Sequence, residues 1–217
     1  MNISSHTDAK SSWVLGKAIV RQDPLSGICE LTHALIHARQ TVSPRRLVAP
    51  SPDDAQFQRM LSAAAAAPDH GLLVPWRFVI IPLDKRGDLG EVFALALIDR
   101  DPGATLEQIE DARAKAHRSP LLMLAVARLG PQEPNTPSLE RMISMGCAVQ
   151  NILLSAQSMG FGSGLTSGRA MSSHRMRQLF SLTDGEEPVC FINIGSVTKE
   201  KPRRLRPLPE RFVTTLM

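Results

Sequence analysis

The 217-residue chain contains no tyrosine, and aromatic residues make up only 4% of it. Surfaces that stack on successive bases are built from aromatic rings, so a stacking nucleic-acid binder is disfavoured. Cysteine is scarce as well. Cys29, Cys147 and Cys190 are odd in number and far apart, which fits free thiols in a reducing compartment rather than a disulfide framework. No four Cys and His positions have zinc spacing. No stretch approaches the roughly 18 uninterrupted apolar residues of a membrane-spanning helix, and residues 1–21 lack the apolar centre of a signal peptide. These absences predict a cytoplasmic protein without a metal or a membrane partner. Lysine is also sparse, with 6 against 19 arginines in a chain of formal net charge +4. A planar guanidinium fork matches phosphate or carboxylate, although high-GC coding inflates arginine too.

What is present is ordinary globular composition, 43% hydrophobic and 21% charged, in a chain long enough to bury its own core as one domain. Residues 1–27 are a polar extension, and residues 28–217 form the domain. Leu31, Ala34, Leu35 and Ala38 have helical spacing and predict a helix over 28–39. Ser51 is placed to cap a second helix, with Pro52 in its first turn and an apolar stripe at Phe57, Met60, Leu61, Ala64 and Ala65. The Ala63–Ala67 run has no bulk, so a neighbour must approach it closely, and Pro68 ends it. Residues 77–82 predict a strand, and 84–118 predict helix with a break at 101–103. Leu121–Ala127 is a continuous apolar run, the mark of a strand buried on both faces. Residues 138–159 are apolar nearly all round and predict a helix buried on most faces, with Gly160 as its C-cap. A helix over 172–181, a third strand over 188–195 and a basic, proline-broken tail complete the chain. The pattern predicts an α+β fold of three layers.

Three segments can carry chemistry. Ala67-Pro68-Asp69-His70-Gly71, followed by Pro75-Trp76, is either a helix stop with a capping Asp69 or a place where His70 meets a ligand. Gly160-Phe161-Gly162-Ser163-Gly164-Leu165-Thr166-Ser167-Gly168 follows a helix rather than a strand and fails the dinucleotide spacing. It is either a flexible turn or a site of close backbone approach to a flat ligand, with amides as donors. The clusters Arg39/Arg45/Arg46 and Arg203/Arg204/Arg206 are solvated surface unless they converge, in which case they make a phosphate site from distant parts of the chain. A nucleic-acid groove is the rival reading, without a helix-turn-helix or RNA-binding signature to support it. Gly162-Ser163-Gly164 lacks the spacing of a nucleophile elbow. Cys147 lies among apolar helix residues as a core thiol. His33 and His37 lack a third ligand. No side chain stands out as catalytic.

Taken together and in order, four segments resemble the FMN-dependent nitroreductase family, in its small bacterial NAD(P)H nitroreductase branch. They are Ala67-Pro68-Asp69-His70 with Pro75-Trp76-Arg77-Phe78, Gly146-Cys147-Ala148-Val149-Gln150-Asn151, Gly160-Phe161-Gly162 with Ser167-Gly168, and Phe191-Ile192-Asn193-Ile194-Gly195 with a Pro- and Arg-rich tail. The resemblance covers about residues 30–217. It implies a three-layer α/β/α sandwich with a mixed, mainly antiparallel sheet, forming an intertwined homodimer with non-covalent FMN at the interface. The family's Arg-Arg-Ser phosphate motif is matched by Arg39-Gln40-Thr41. Gln40 replaces a charge-assisted contact by a neutral one, a loss on the order of 1 kcal/mol that Arg45, Arg46 or the tail pair Arg204 and Arg206 could offset. His70 matches the position that reaches FMN from the partner subunit. Leu165, Thr166 and Ser167 match the turn beside the flavin, with Leu165 where many relatives carry Trp. Ser155, Ala156, Gln157, Ser158, Met159 and Gly160 match a stretch linked to the nicotinamide nucleotide. The implied reaction is ping-pong: NAD(P)H reduces the flavin, which then reduces a nitroaromatic, quinone or similar acceptor. Other flavin reactions on the same scaffold (enoyl reduction, dehalogenation, flavin reduction) and a non-catalytic flavin or nucleic-acid binder are the alternatives.

Overall fold

Alternating burial along one strand sets the layers. In β3, Leu121–Arg128, every residue from 122 to 127 is buried. Successive strand side chains point to opposite faces, so Met123, Ala125 and Ala127 enter one core while Leu122, Leu124 and Val126 enter another. The computed structural model describes residues 24–130, 135–199, 202 and 205–216, and the expected extension over 1–27 lies almost wholly outside them.

Among the described residues, six helices, α1 (Pro24–Ala38), α2 (Asp54–Ala65), α3 (Arg86–Arg100), α4 (Leu106–Ala114), α5 (Ser138–Ser158) and α6 (His174–Leu179), flank a five-stranded sheet. Its strands are β1 (Leu47–Val48), β2 (Trp76–Ile80), β3, β4 (Gly162–Thr166) and β5 (Glu186–Val197). The path runs β1-β5-β3-β2, with β4 also paired to β5. Met60 and Ala64 of α2 and Met145, Ala148, Ile152 and Ala156 of α5 fill the core on one face. Leu89 of α3 and Met176 of α6 fill it on the other. The three-layer expectation therefore holds, and the close neighbour demanded by the alanine run is α5, whose Asn151 Nδ2 donates to the Ala63 carbonyl at 2.9 Å.

Several local expectations are corrected. The cap of α2 is Asp53, not Ser51: its carboxylate accepts from the Gln56 amide, and the Gln56 side chain accepts from the Asp53 amide, a reciprocal capping box. The mixed, mainly antiparallel sheet is as expected: the named strands of the described residues pair antiparallel, and Thr41 to Ser163 adds a parallel bridge. Met159 caps α5, and Gly160 follows it at φ +84°. The 172–181 helix shrinks to α6, preceded by a 3-10 turn over Arg169–Ser172. The largest change is at residues 160–168, where the flexible-turn reading gives way to a strand, β4, in register with β5 from Gly162↔Gly195 to Thr166↔Phe191.

Candidate functional site

The glycines of β4 have a local cause. A Cβ on Gly164 would lie 2.2 Å from the Val42 carbonyl oxygen, and one on Gly162 would lie 2.3 Å from Val197 Cγ2. The chain after α1 thus crosses β4 at backbone contact. The Val42 amide donates to the Ser163 carbonyl at 2.8 Å, which brings the Arg39–Thr41 segment beside the Leu165–Ser167 segment.

That bond also orients the strand. In an antiparallel pair, alternate residues direct their N–H and C=O away from the neighbour. Ser163 faces outward toward Val42, so Leu165, two residues on, presents its N–H and C=O along the same edge. Outside the β4–β5 ladder, no backbone or side-chain hydrogen bond reaches either group among the described residues. The Thr166 hydroxyl is fixed by Asn193. The buried Asn193 side chain donates to Thr166 Oγ1 at 3.0 Å and to the Gly164 carbonyl at 3.3 Å, and accepts from Ser119 Oγ at 2.9 Å. Asn193 was not singled out from the sequence, although a polar residue inside the apolar run Phe191–Ile194 is the signal that marks it.

One residue from each basic cluster is brought together. Arg206 Nη2, from the tail, donates to the Arg39 carbonyl at 3.0 Å. Burial first, and the Arg206 charge second, lower the pKa of the Arg39 guanidinium. No carboxylate is hydrogen-bonded to either side chain among the described residues. Two arginines from distant segments, near enough for one charge to act on the other and with no carboxylate bonded to either, favour an anion. Arg204 lies outside the described residues. Arg45 is engaged elsewhere, donating to Asp111 Oδ1 at 2.8 Å. Arg46 Nη2 is buried without a partner.

His70 is not brought to this site. Its Nδ1 meets Glu140 Oε1 at 2.7 Å, near the start of the 21-residue α5. Ser155–Gly160 occupies the other end of that helix, about 27 Å away at 1.5 Å rise per residue. There Ser158 Oγ donates to the Ser155 carbonyl at 2.8 Å. The Ala156 side chain is wholly buried, while Ser158 and Gly160 are exposed. Cys190 is also buried, and burial pushes its thiol up to about 11, which holds it neutral. No three His, Cys, Asp or Glu residues cluster as metal ligands among the described residues. No helix among them is long and apolar enough to cross a membrane.

On the α3 side of the sheet, Thr166, Ser167 and Gly168 line a cavity of about 410 Å³ with Phe93, Leu122 and Phe191 beneath it. Its wall is braced by Arg86, a buried arginine that the sequence did not mark. Arg86 bonds no carboxylate and donates instead to the carbonyls of Ile81 (2.7 Å), Ala116 (2.7 Å), Ser119 (3.2 Å) and Pro120 (3.3 Å). Desolvation lowers its pKa.

A sheet between two helical layers, with an edge strand crossed by the chain after α1, defines a three-layer α+β class. The nitroreductase family model matches residues 36–196, and the chain belongs to the nitroreductase family. A Haemophilus influenzae protein named "Putative NAD(P)H nitroreductase" is 31% identical over 175 residues, covering 80% of this chain and 94% of the relative. The nitroreductase-like family protein of Bacillus cereus has a similar structure, with a TM-score of 0.73 and 17% identity over 85% of this chain and 95% of that one. A nitroreductase with bound FMN from Desulfitobacterium hafniense DCB-2 superposes with a TM-score of 0.60 and 18% identity over 86% of this chain and 98% of that one.

Proposed function

We propose that the protein is an FMN-dependent NAD(P)H oxidoreductase acting as a homodimer. The observation that supports this reading is that Arg206 bonds to Arg39, whose segment bridges to β4 at Thr41 and Ser163. The residues fit the cofactor. Arg39 and Arg206 would hold the phosphate, with the Thr41 hydroxyl and the Gln40 side chain beside it. The Leu165 N–H and C=O would meet the polar edge of the flavin ring, and Thr166 and Ser167 would continue that wall. When bound, FMN supplies two-electron chemistry, taking a hydride from NAD(P)H and later passing two electrons to a nitroaromatic, quinone or similar acceptor. The chain's own part is to bind, orient and exclude water. Asn193 keeps Thr166 and Gly164 in place, and the surface of the 155–160 turn offers backbone groups to the nicotinamide nucleotide.

The dimer reading rests on His70 and α5. His70 is bonded to the far end of α5 in its own chain, so it reaches a flavin only in a second subunit. The long helix also leaves an apolar strip uncovered, with Leu139 71% exposed and Ile143 61% exposed. Such a strip on a helix whose other face is buried supports a second copy as its cover.

The test is direct. The purified chain should be yellow, should bleach anaerobically with NAD(P)H, and should recover its colour on adding a quinone or nitroaromatic. A colourless protein that cannot be reconstituted with FMN would overturn the proposal. Arg206→Ala should weaken FMN retention by about tenfold, the equivalent of one charge-assisted contact.

A further inference from the structure

The cavity behind Thr166 carries a charge pattern that flavin binding does not require. Arg45, Arg100, Lys115, Arg118 and Arg169 all line it. Asp111 is the one carboxylate bonded to any of the five among the described residues. It accepts at a single oxygen from Arg45 Nη2 at 2.8 Å and from Arg118 Nη2 at 2.6 Å. Arg100, Lys115 and Arg169 have no hydrogen-bonded or ion-paired partner among the described residues. Three unpaired cations beside a two-arginine, one-carboxylate knot leave the cavity strongly positive. Asp111 is itself held below the ordinary carboxylate range, first by the Arg118 hydrogen bond and then by the charges of Arg118, Arg45 and Lys115.

The floor is of a different kind. Phe93 and Phe191 meet edge to face, ring centroids 5.5 Å apart, and Leu122 of β3 lines the cavity with them. A positive rim over an aromatic and aliphatic floor suits a planar body that carries a multiply charged anion. One carboxylate would answer only one of three free cations. A phosphomonoester, with nearly two charges at neutral pH and three acceptor oxygens, answers them better. The volume, about 410 Å³, falls in the range of small-molecule sites. The wall is rigid where it matters, because Arg86 grips the carbonyls of Ala116 and Ser119 around Lys115 and Arg118.

We propose that this cavity binds the phosphorylated adenosine end of the nicotinamide reductant, so that the protein uses NADPH in preference to NADH. The inference rests on the flavin reading above. Thr166, Ser167 and Gly168 are shared between the cavity wall and the segment placed beside the flavin, so a ligand seated in the cavity has a short path to it. The phosphomonoester chemistry has one other available source, the phosphate of FMN itself, and the experiment separates the two.

Isothermal titration calorimetry on the FMN-loaded full chain would measure NADP⁺ and NAD⁺ binding, with the triple variant Arg100→Ala, Lys115→Ala, Arg169→Ala alongside. The three side chains are exposed and unpaired among the described residues, and a thermal melt would check that the variant is folded. The proposal expects NADP⁺ to bind at least about tenfold more tightly than NAD⁺, and expects the triple variant to lose that margin while NAD⁺ changes by less than about twofold. Competition by adenosine 2′-phosphate but not by adenosine should show the same loss. Equal affinity for the two nucleotides in the unmodified protein overturns the proposal. A variant that keeps its NADP⁺ margin but is purified without FMN overturns it too, and gives the cavity to the cofactor's phosphate. A colourless protein that still shows the NADP⁺ margin and its loss would sustain the cavity assignment while removing the flavin reading.

Discussion

Glu186 shows how much a single side chain can commit to the fold. Arg77 donates to both its oxygens, at 2.7 and 2.9 Å, and the Thr183 amide adds a bond at 3.2 Å. The Arg77 hydrogen bonds lead, over an opposing desolvation, in lowering the carboxyl to about 2 from an ordinary value of 4.5. A depressed acid stabilises the native state above its unfolded pKa and loses that contribution as pH falls through its folded pKa. The wild-type melting temperature should therefore fall as pH drops from about 4.5 toward 2, and Glu186→Gln should be less stable at pH 7 by on the order of 2 kcal/mol while lacking that part of the acid slope. Thermal melts across pH 2 to 7 would show it, and parallel curves for the two proteins would refute it. Arg86 makes a second case. Arg86→Met keeps apolar bulk but strips four carbonyls of their donor, and should cost on the order of 3 kcal/mol in urea denaturation.

Among the elements, β4 is the one whose identity matters most. Its sequence, Gly-Ser-Gly-Leu-Thr, has little strand propensity, and it is a strand because β5 lies on one side and the segment 41–48 crosses it at backbone contact. Gly164→Ala would set a methyl group against the Val42 carbonyl. The crossing segment must then shift and carry Arg39 and Thr41 with it. We expect a stability loss on the order of 2 kcal/mol together with marked loss of bound FMN, measured by flavin absorbance per chain. Stability lost with flavin content intact would show that the crossing does not position the phosphate site. Helix α5 works through its two ends, with His70 bonded at Glu140 and the 155–160 turn about 27 Å away. On the proposed reading, the two ends serve one site from two copies of the helix.

That separation sets the expectation for the assembled molecule. Light scattering should give twice the 23.7 kDa chain mass. Ile143→Asp, which places a charge on the exposed strip of α5, should shift the protein to monomer and release FMN. A monomeric wild type that retains FMN would contradict the shared site. The arginine excess also acquires places at this level: one pair from the tail and the chain just after α1, and a second group around the α3-side cavity.

Much of this was legible in the chain. The unbroken apolar run 121–127 marked a strand buried on both faces, and the small residues at 63–67 marked a close helix contact, because burial and size are properties that neighbours in sequence already display. The motifs at His70, 146–151 and 191–195 pointed to the family. Other features depended on partners far apart along the chain. The N-cap of α2 moved by two residues because the Gln56 side chain could close a capping box with Asp53 but not with Ser51. Gly162–Thr166 became a strand through Val42 and β5, contacts 121 and about 29 residues away in the chain, and no local propensity records them. The meeting of Arg39 with Arg206, the four carbonyls on Arg86 and the cation ring around the cavity are of the same kind. Composition and pattern are local sums, whereas an anion site is a convergence of charges in space, and convergence is set by how the layers pack.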